Sequence, residues 1–387
     1  MAQRKRVGVV GCGLIAQVMH LPYLADLSDR YEIAALCDIS SGVLAACAHK
    51  YGVTRTFTRW EDLIDEPLDA VFVLTPGSHA PIATAAAQVG LHVFSEKPLC
   101  LSVTEGKELL QAVERSGVCL MVGTMKRYEP AYERLVTLIA GLEDLRLVRV
   151  TTLESPLAHY VSHYGVRAGD DVPAATLAAL AADDDERVEA ALGPVDADTR
   201  QAYRTVLLDC LVHEFNALRG VLGEPDRVVS ATLSPTCVGV NLAFGDVPCH
   251  LSWVDLPGIA RYHQELAFYA PERRVTLALP SPFLRSTPGE LIIEEGDPLG
   301  PRASRTVEVV DYEEAFKLEL IEFSECIRSG REPRTPGIDG LRDVALCEAI
   351  ATAHVTGAPV DSPTASAALA DDRPTEMAAA KDGAAGP

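Results

Sequence analysis

The chain has 387 residues, 48% of them hydrophobic, which is enough to build the cores of two domains. Its formal net charge of −21 argues against binding to nucleic acid or to anionic membrane surfaces, because both would repel it. The sequence lacks a run of about 18 apolar residues, so we expect no membrane-spanning helix. The ten cysteines are scattered and form no Cys-x-x-Cys pair, which is typical of buried thiols in a reducing compartment. With no signal-peptide pattern before the first strand, these features predict a cytoplasmic protein.

Strand-like and helix-like segments alternate over the first 124 residues. The predicted strands occupy residues 5–10, 33–37, 56–57, 70–74, 91–94 and 119–122, with helical segments between them. The run over residues 70–74 is apolar throughout, which suits a strand that is covered on both faces. Residues 1–124 are therefore predicted to form a Rossmann-type, doubly wound parallel sheet.

The pattern changes after residue 124, where strand-like segments follow one another with few helices between them. These segments cover residues 146–153, 227–233, 238–244, 249–254, 264–269 and 274–279, and predicted helices over 312–329 and 340–356 follow. Consecutive strands of this kind predict a large, mainly antiparallel open sheet. We therefore expect an α+β domain over residues 125–361.

Two segments differ in composition from the rest of the chain. Residues 168–202 are rich in Ala and Asp and contain the acidic run 183–186; a helix is possible there, and a solvated insertion is the simplest expectation. Residues 362–387 consist mainly of Ala, Pro, Asp and Gly and offer few large apolar side chains to anchor them, so this tail is predicted to be disordered.

A glycine turn joins the first predicted strand to the first helix. Gly11 and Gly13 would let the backbone approach a pyrophosphate at the N-terminus of the helix, and Ala16 replaces a third glycine, which is an accepted variant. Asp38 ends the second predicted strand, where a carboxylate can accept hydrogen bonds from an adenosine ribose and repel a 2′-phosphate. Because no arginine follows over residues 39–42, NAD is favoured over NADP.

The sequence Glu96-Lys97-Pro98 follows the fifth predicted strand. Ligands of an open parallel sheet bind beyond the carboxyl ends of its strands, so Lys97 would lie where a substrate could lie. The alternative for an isolated Glu-Lys pair is a solvated ion pair in a loop.

Asp209 and His213 are four residues apart in an apolar stretch, which would place both side chains on one face of an α-helix. Such a pair could transfer a proton near neutral pH, with the carboxylate orienting the imidazole; the alternative is a capping or surface pair. Asn216 continues the same face and could bind a hydroxyl or cap the helix.

His159 and His163 have the same spacing, but a metal site needs a third ligand, so we predict no metal and expect these histidines to line the substrate site or an exposed loop.

Taken together, these motifs resemble the glucose–fructose oxidoreductase / inositol dehydrogenase / MocA (Gfo/Idh/MocA) family of nicotinamide-dependent oxidoreductases. The residues that carry the resemblance are the glycine turn over 11–16, Thr75-Pro76 with His79, Glu96-Lys97-Pro98, and Asp209 with His213. The resemblance covers most of residues 5–361. The sequence departs from the family pattern in the segment before Asp209, where residues 203–208 replace a glycine-rich segment.

The resemblance implies roles for individual residues. Lys97 would lie beside the nicotinamide and the substrate hydroxyl, His213 would act as general acid/base, and Asp209 would assist it. The expected cofactor contacts are Gly11, Gly13, Leu14, Ile15, Asp38, Thr75, Pro76, His79, Glu96 and Lys97. The expected substrate contacts are Lys97, His159, His163 and Asn216. Relatives also imply a homodimer or homotetramer.

The sequence therefore predicts an NAD-dependent dehydrogenase that interconverts a secondary alcohol and a ketone. The expected substrate is a small polyol or keto-sugar: a sugar, an aminosugar, a cyclitol or a sugar-bearing metabolite. One alternative is an enzyme that retains NAD and oxidises its substrate only transiently, so that epimerisation or elimination can follow. The other is a sensor that binds NAD without turnover.

Overall fold

The computed structural model describes residues 4–363 of the chain. The tail that the sequence predicts over residues 362–387 therefore lies almost entirely outside the described residues.

The N-terminal part alternates strands and helices as predicted. Its strands are β1 Lys5–Val10, β2 Tyr31–Cys37, β3 Arg55–Phe57, β4 Ala70–Val73, β5 His92–Glu96 and β6 Leu120–Gly123. Its helices are a π-helix over Ala16–His20 that continues into α1 Leu21–Asp26, then α2 Ser41–Tyr51, α3 Trp60–Ile64, α4 Ala80–Gln88 and α5 Val103–Ser116. Ser40 caps α2, because its side chain accepts a hydrogen bond from the backbone N–H of Val43.

These six strands form one parallel sheet in the order β3-β2-β1-β4-β5-β6. All four residues of β4 are fully buried, as expected for an apolar strand in the middle of a doubly wound sheet. The carboxyl ends of β1, β4, β5 and β6 lie along one edge of this sheet, which brings the glycine turn and Lys97 to the same side of the molecule.

The C-terminal part begins with a 3₁₀-helix over Met125–Tyr128. Its helices are α6 Pro130–Ala140, α7 Ala158–Val161, α8 Ala174–Leu192, α9 Ala197–Ala202, α10 Val212–Leu222, α11 Ala315–Ser329 and α12 Gly337–Thr356, with a 3₁₀-helix over Ser162–Tyr164 and a π-helix over Tyr203–Leu211. Its strands are β7 Leu147–Glu154, β8 Arg227–Leu233, β9 Cys237–Phe244, β10 Val247–Asp255, β11 His263–Tyr269, β12 Arg273–Leu279, β13 Glu290–Gly296, β14 Ala303–Val309 and β15 Val360–Asp361.

These strands form a nine-stranded sheet in the order β14-β13-β12-β11-β7-β10-β9-β8-β15. Neighbouring strands are antiparallel except for the parallel pair β7 and β10. The predicted fold class is therefore confirmed: a Rossmann sheet is followed by an α+β part with a mainly antiparallel sheet. Strands β13, β14 and β15 were not predicted.

Two helices from the end of the described chain pack on the parallel sheet. Phe323 of α11 makes edge contacts with Phe72 and Phe94, whose rings stack 5.0 Å apart. In α12, Gly340 lies against Val122 of β6 so closely that a Cβ would come within 2.9 Å of that side chain. The core thus continues from the first sheet into the last two helices, and the division of the chain near residue 124 stays a prediction.

All ten cysteines are free, and seven of them are buried. Within residues 4–363, no helix combines the length and the apolar character needed to cross a membrane.

Candidate active site

The glycine turn leaves open space at the end of β1. Gly11 has φ of 92°, and a Cβ on it would lie 2.7 Å from the backbone of Leu74, so a side chain would be both strained and blocked. A Cβ on Gly13 would meet no atom within 4 Å. Helix begins at Leu14, so backbone N–H groups of a helix N-terminus adjoin this space. The turn therefore fits the pyrophosphate of a dinucleotide, with Leu14 and Ile15 in the first helical turn.

Asp38 lies against the glycine turn. Its Oδ2 accepts a hydrogen bond from the Cys12 backbone N–H at 2.7 Å, and its Oδ1 accepts one from the Ser40 N–H at 2.8 Å. The carboxylate is thus fixed between the turn and the start of α2, which is the position from which it would bind ribose hydroxyls. The sequence offers no arginine directly after Asp38, but the structure brings Arg167 to the start of α2 from a distant segment, since its Nη2 lies 3.6 Å from the position that a Cβ on Gly42 would take.

Lys97 directly follows β5 and bonds to the C-terminal part of the chain. Its Nζ donates to Oδ1 of Asp209 at 2.6 Å and to the backbone carbonyl of Asp209 at 2.7 Å. Burial lowers the pKa of Lys97, but the charges of Asp209 and Glu96 outweigh it, so that the pKa is raised. Lys97 therefore remains protonated at neutral pH and can stabilise negative charge on an oxygen atom.

Glu96 supports Lys97 from within the core. It is 4% exposed; its Oε2 accepts a hydrogen bond from the Lys97 backbone N–H at 3.0 Å, and its Oε1 lies 2.6 Å from His20 Nε2. Glu319 of α11 lies beside this pair, fully buried, and neither of its carboxylate oxygens has a hydrogen-bond partner among the described residues. Burial, together with the nearby charge of Glu96, raises the pKa of Glu319 well above its usual value.

His20, Glu96 and Glu319 form a cluster that the sequence analysis missed. One ligand atom from each residue lies within 4.8 Å of the others, and all three side chains are buried. No spacing in the sequence indicates this cluster, because the three residues come from the first helix, from β5 and from α11. The prediction that the protein needs no metal is not tested by this arrangement.

The loop after β4 carries three of the expected cofactor contacts. Pro76 is exposed, and Thr75 is half-buried with a hydroxyl group that has no hydrogen-bond partner among the described residues. His79 is 1% exposed, and its Nδ1 donates to the carbonyl of Pro98 at 2.6 Å. Burial lowers the pKa of His79, so the imidazole is neutral. In this structure His79 supports the backbone after Lys97, and a direct cofactor contact stays a prediction.

Asp209 and His213 do not form the hydrogen-bonded pair expected from a regular α-helix. Residues Tyr203–Leu211 form a π-helix, whose wider turn alters the four-residue spacing, and α10 begins only at Val212. The Asp209 carboxylate bonds Lys97, and no described residue bonds Nδ1 of His213. Burial, with the positive charges of Lys126 and Lys97, lowers the pKa of His213 well below its usual value. His213 is therefore neutral at pH 7 and can accept a proton.

Lys126, a second lysine near His213, was not among the predicted site residues. Lys126 is 6% exposed, and its Nζ lies 3.4 Å from Oε1 of Glu214, which also accepts hydrogen bonds from Thr152 at 2.8 Å and from Gln264. Burial lowers the pKa of Lys126 despite Glu214. Lys126 follows β6 as Lys97 follows β5, so the rule that ligands bind beyond strand ends could have identified it.

The other expected substrate residues lie elsewhere. Asn216 is 1% exposed, and its amide donates to Asp339 at 2.8 Å and to Asp343 at 2.7 Å. Both donors of the Asn216 amide are thus used within the core, and its contact with substrate stays a prediction. His159 and His163 are exposed, and the helix changes from α to 3₁₀ between them, so they do not share a regular helical face. Neither belongs to the metal-spaced cluster.

Comparisons with known proteins agree with this geometry. Residues 5–124 match the family model described as "Oxidoreductase family, NAD-binding Rossmann fold". The D-xylose 1-dehydrogenase (NADP(+)) 2 of Haloferax volcanii is 26% identical over 366 residues, which is 92% of this chain and 98% of that protein. The inositol 2-dehydrogenase of Salmonella typhimurium is 31% identical over 230 residues, which is 58% of this chain and 56% of that protein.

Solved structures share the fold over nearly the whole chain. Levoglucosan dehydrogenase in complex with NADH has a TM-score of 0.71 at 18% identity and aligns over 93% of this chain and 100% of its own. A 3-ketoreductase from Actinomadura kijaniata in complex with TDP-benzene and NADP has a TM-score of 0.68 at 20% identity, over 91% and 98% of the two chains. The family-model match over residues 5–124 and the dehydrogenase relatives together show that this chain is an oxidoreductase that is similar to the Gfo/Idh/MocA family.

Proposed function

We propose that this protein is an NAD-dependent dehydrogenase that interconverts a secondary alcohol and a ketone on a sugar, an aminosugar, a cyclitol or a sugar-bearing metabolite. The observation that carries the proposal is the contact between Lys97 Nζ and Asp209 Oδ1, 2.6 Å apart. It brings a cationic lysine from the edge of the Rossmann sheet to the segment that carries His213. The similar proteins that are named as xylose and inositol dehydrogenases support the substrate class.

The residues fit a nicotinamide dinucleotide. The open space beside Gly13 would receive the pyrophosphate, Asp38 would bind the adenosine ribose, and Thr75 has a hydroxyl without a partner beside this edge. When bound, the nicotinamide supplies the acceptor for a hydride. The remaining chemistry belongs to side chains of this chain.

In the direction of oxidation, the hydrogen on the carbinol carbon leaves as a hydride while the hydroxyl group loses its proton. Neutral His213 would accept that proton, and Lys97 would donate a hydrogen bond to the oxygen as its negative charge develops. A protonated lysine has three N–H donors, and Asp209 uses two of them. The third donor is therefore available to a substrate oxygen without breaking the contact between the two parts of the chain.

We also propose a homo-oligomer formed through the nine-stranded sheet. Burial alternates along β9 and β10, which leaves side chains on one face of the sheet accessible. A second copy packing on this face would give a dimer, and two such dimers would give a tetramer. Light scattering on the purified protein measures its mass directly, and a monomer at micromolar concentration would contradict this proposal.

The function is tested by mixing the purified protein with NAD and a panel of polyols, while following both nicotinamide reduction and the mass of the product. Net formation of NADH together with a ketone product supports the proposal. Product without net NADH would indicate transient oxidation with retained NAD, and NAD binding without any turnover would indicate a sensor.

The site is tested with the Lys97→Ala variant. We expect turnover to fall by at least about a hundredfold while NAD affinity changes little, because the lysine acts on the reacting oxygen. Lys50→Ala, which removes an exposed lysine at the end of α2, serves as the matched control. Near-normal turnover in Lys97→Ala would refute the assignment.

A further inference from the structure

The acidic segment predicted as a solvated insertion lies across the edge of the Rossmann sheet. At one end, the backbone N–H of Arg167 donates to Gln17 Oε1 at 2.9 Å, and the Gln17 amide returns a hydrogen bond to the Arg167 carbonyl at 3.0 Å. At the other end, Arg187 of α8 bonds Glu105 of α5, and the Asp184 carboxylate lies against Gly77 in the loop after β4. The segment is thus attached on both sides of the glycine turn.

Between these attachments, Asp171 binds the loop that follows Asp38. Its Oδ2 accepts hydrogen bonds from Ser41 Oγ and from the Gly42 backbone N–H, both at 2.9 Å, and its Oδ1 accepts one from Ser40 Oγ. Hydrogen bonds from Ser40, Gly42 and Ser41 lower the pKa of Asp171 to about 2. Asp171 therefore carries a full negative charge at any pH at which the enzyme would work.

These donors lie where the two nicotinamide cofactors differ. An acidic residue at the end of the second strand binds the adenosine ribose, and the extra phosphate of NADP is attached to that ribose at its 2′ oxygen. A 2′-phosphate needs hydroxyl or N–H donors or a cation at the start of the following helix. Here those donors already bind a carboxylate, and the loop has a second carboxylate in Asp38.

We propose that Asp171 selects NAD over NADP, because it occupies the donors that a 2′-phosphate would need and repels the phosphate by its own charge. The inference rests on the proposed function, in which a nicotinamide dinucleotide binds at the glycine turn. It adds a specificity residue that comes from the distant acidic segment and that no pattern around Asp38 indicates.

Removing the carboxylate should turn the same loop into a phosphate site. Ser40, Ser41 and the Gly42 N–H would become free donors. Arg167 is already close, because its Nη2 lies 3.6 Å from the position that a Cβ on Gly42 would take. Its present partner, Asp170, lies 3.8 Å away, and both side chains are more than half exposed. The variant would therefore present three neutral donors and one cation to a 2′-phosphate.

The test measures equilibrium binding by calorimetry, so it does not depend on finding the substrate. The dissociation constants of NAD and NADP are determined for the wild type, for Asp171→Ala and for Asp171→Asn. We expect the wild type to prefer NAD, and we expect both variants to gain NADP affinity relative to NAD by at least about tenfold, because like charges in contact oppose binding strongly. Thermal unfolding of each variant without cofactor checks that the fold is intact.

Glu186→Gln is the matched control, because it removes one negative charge from an exposed position of the same segment. An equal change in the ratio of the two affinities in this variant would attribute the effect to overall charge and overturn the role of Asp171. An unchanged ratio in both Asp171 variants would also overturn it. If the wild type binds neither dinucleotide, the proposed function fails; if it binds NAD but the Asp171 variants behave as the wild type does, only the inference fails.

Discussion

Replacement of Asp209 by Asn separates the charge of this residue from its position. The side chain of Asp209 pairs with Lys97 Nζ at 2.6 Å, whereas the second contact of Nζ is to the backbone carbonyl of Asp209 at 2.7 Å. Asp209→Asn removes the charge and leaves the carbonyl contact in place. The lysine should therefore stay near its present position while losing the anion that holds it protonated.

The size of the effect follows from the distance and the exposure. Two unit charges 2.6 Å apart attract each other by about 1.6 kcal/mol at the dielectric constant of water. Because the Asp209 side chain is 65% exposed, side-chain entropy and salt reduce the net value to about 1 kcal/mol. We expect the free energy of unfolding at pH 7 to fall by about this amount, as measured by urea denaturation.

The stability that the ion pair between Lys97 and Asp209 contributes depends on pH. The pKa of Lys97 is raised in the folded state, so the stability gained from its charge is present at neutral pH and is lost as the pH rises through that pKa. The difference between the wild type and Asp209→Asn should therefore shrink in strongly alkaline buffer, and any loss of activity at high pH should begin at a lower pH in the variant. Asp246→Asn, in the exposed turn between β9 and β10, is the control. Equal stability of Asp209→Asn and the wild type at pH 7 would refute the pairing as a source of stability, and identical alkaline profiles would refute its control of the Lys97 charge.

Much of the fold was readable from the sequence because its signals are local. Continuous apolar runs identified strands of the parallel sheet, and β4 is the clearest example because all four of its residues are buried. Strands β13 and β14 gave a weaker signal: most of β14 is exposed, so its apolar residues do not alternate with a buried face. An edge strand such as β14 is defined by its pairing with β13 rather than by its own pattern.

The sequence predicted site residues only where they lie at strand ends or within a known motif. The sequence placed Asp209 and His213 on one helical face in an apolar stretch, but it could not show the π-helix over Tyr203–Leu211 or the contact of Asp209 with Lys97. The hydrogen bonds of Asn216 were not readable from the sequence, because its partners, Asp339 and Asp343, lie more than 120 residues away. Likewise, the docking of Asp171 on the loop after Asp38 depends on tertiary contacts across about 130 residues. Long-range polar contacts leave no local pattern, so a single sequence cannot reveal them.

Two further predictions concern buried groups whose pKa values are shifted. Because the pKa of His213 is lowered, this base stays neutral below pH 6.5, and kcat/KM should hold at pH 6, where an ordinary histidine would be largely protonated. Lys126→Met removes a nearby positive charge, so it should move the acid limb of the kcat/KM profile to higher pH. An unchanged acid limb in this variant would contradict the account. The raised pKa of Glu319 means that the folded protein keeps this carboxyl group protonated while the unfolded chain ionises it, so Glu319 reduces stability increasingly as the pH rises above about 4.3. Glu319→Gln replaces the protonated carboxyl group by a neutral amide of similar shape. The stability of this variant relative to the wild type should therefore increase between pH 5 and pH 8 in urea denaturation. A constant difference over that range would mean that Glu319 is ionised in the folded protein and that the cluster with His20 and Glu96 holds a compensating positive charge.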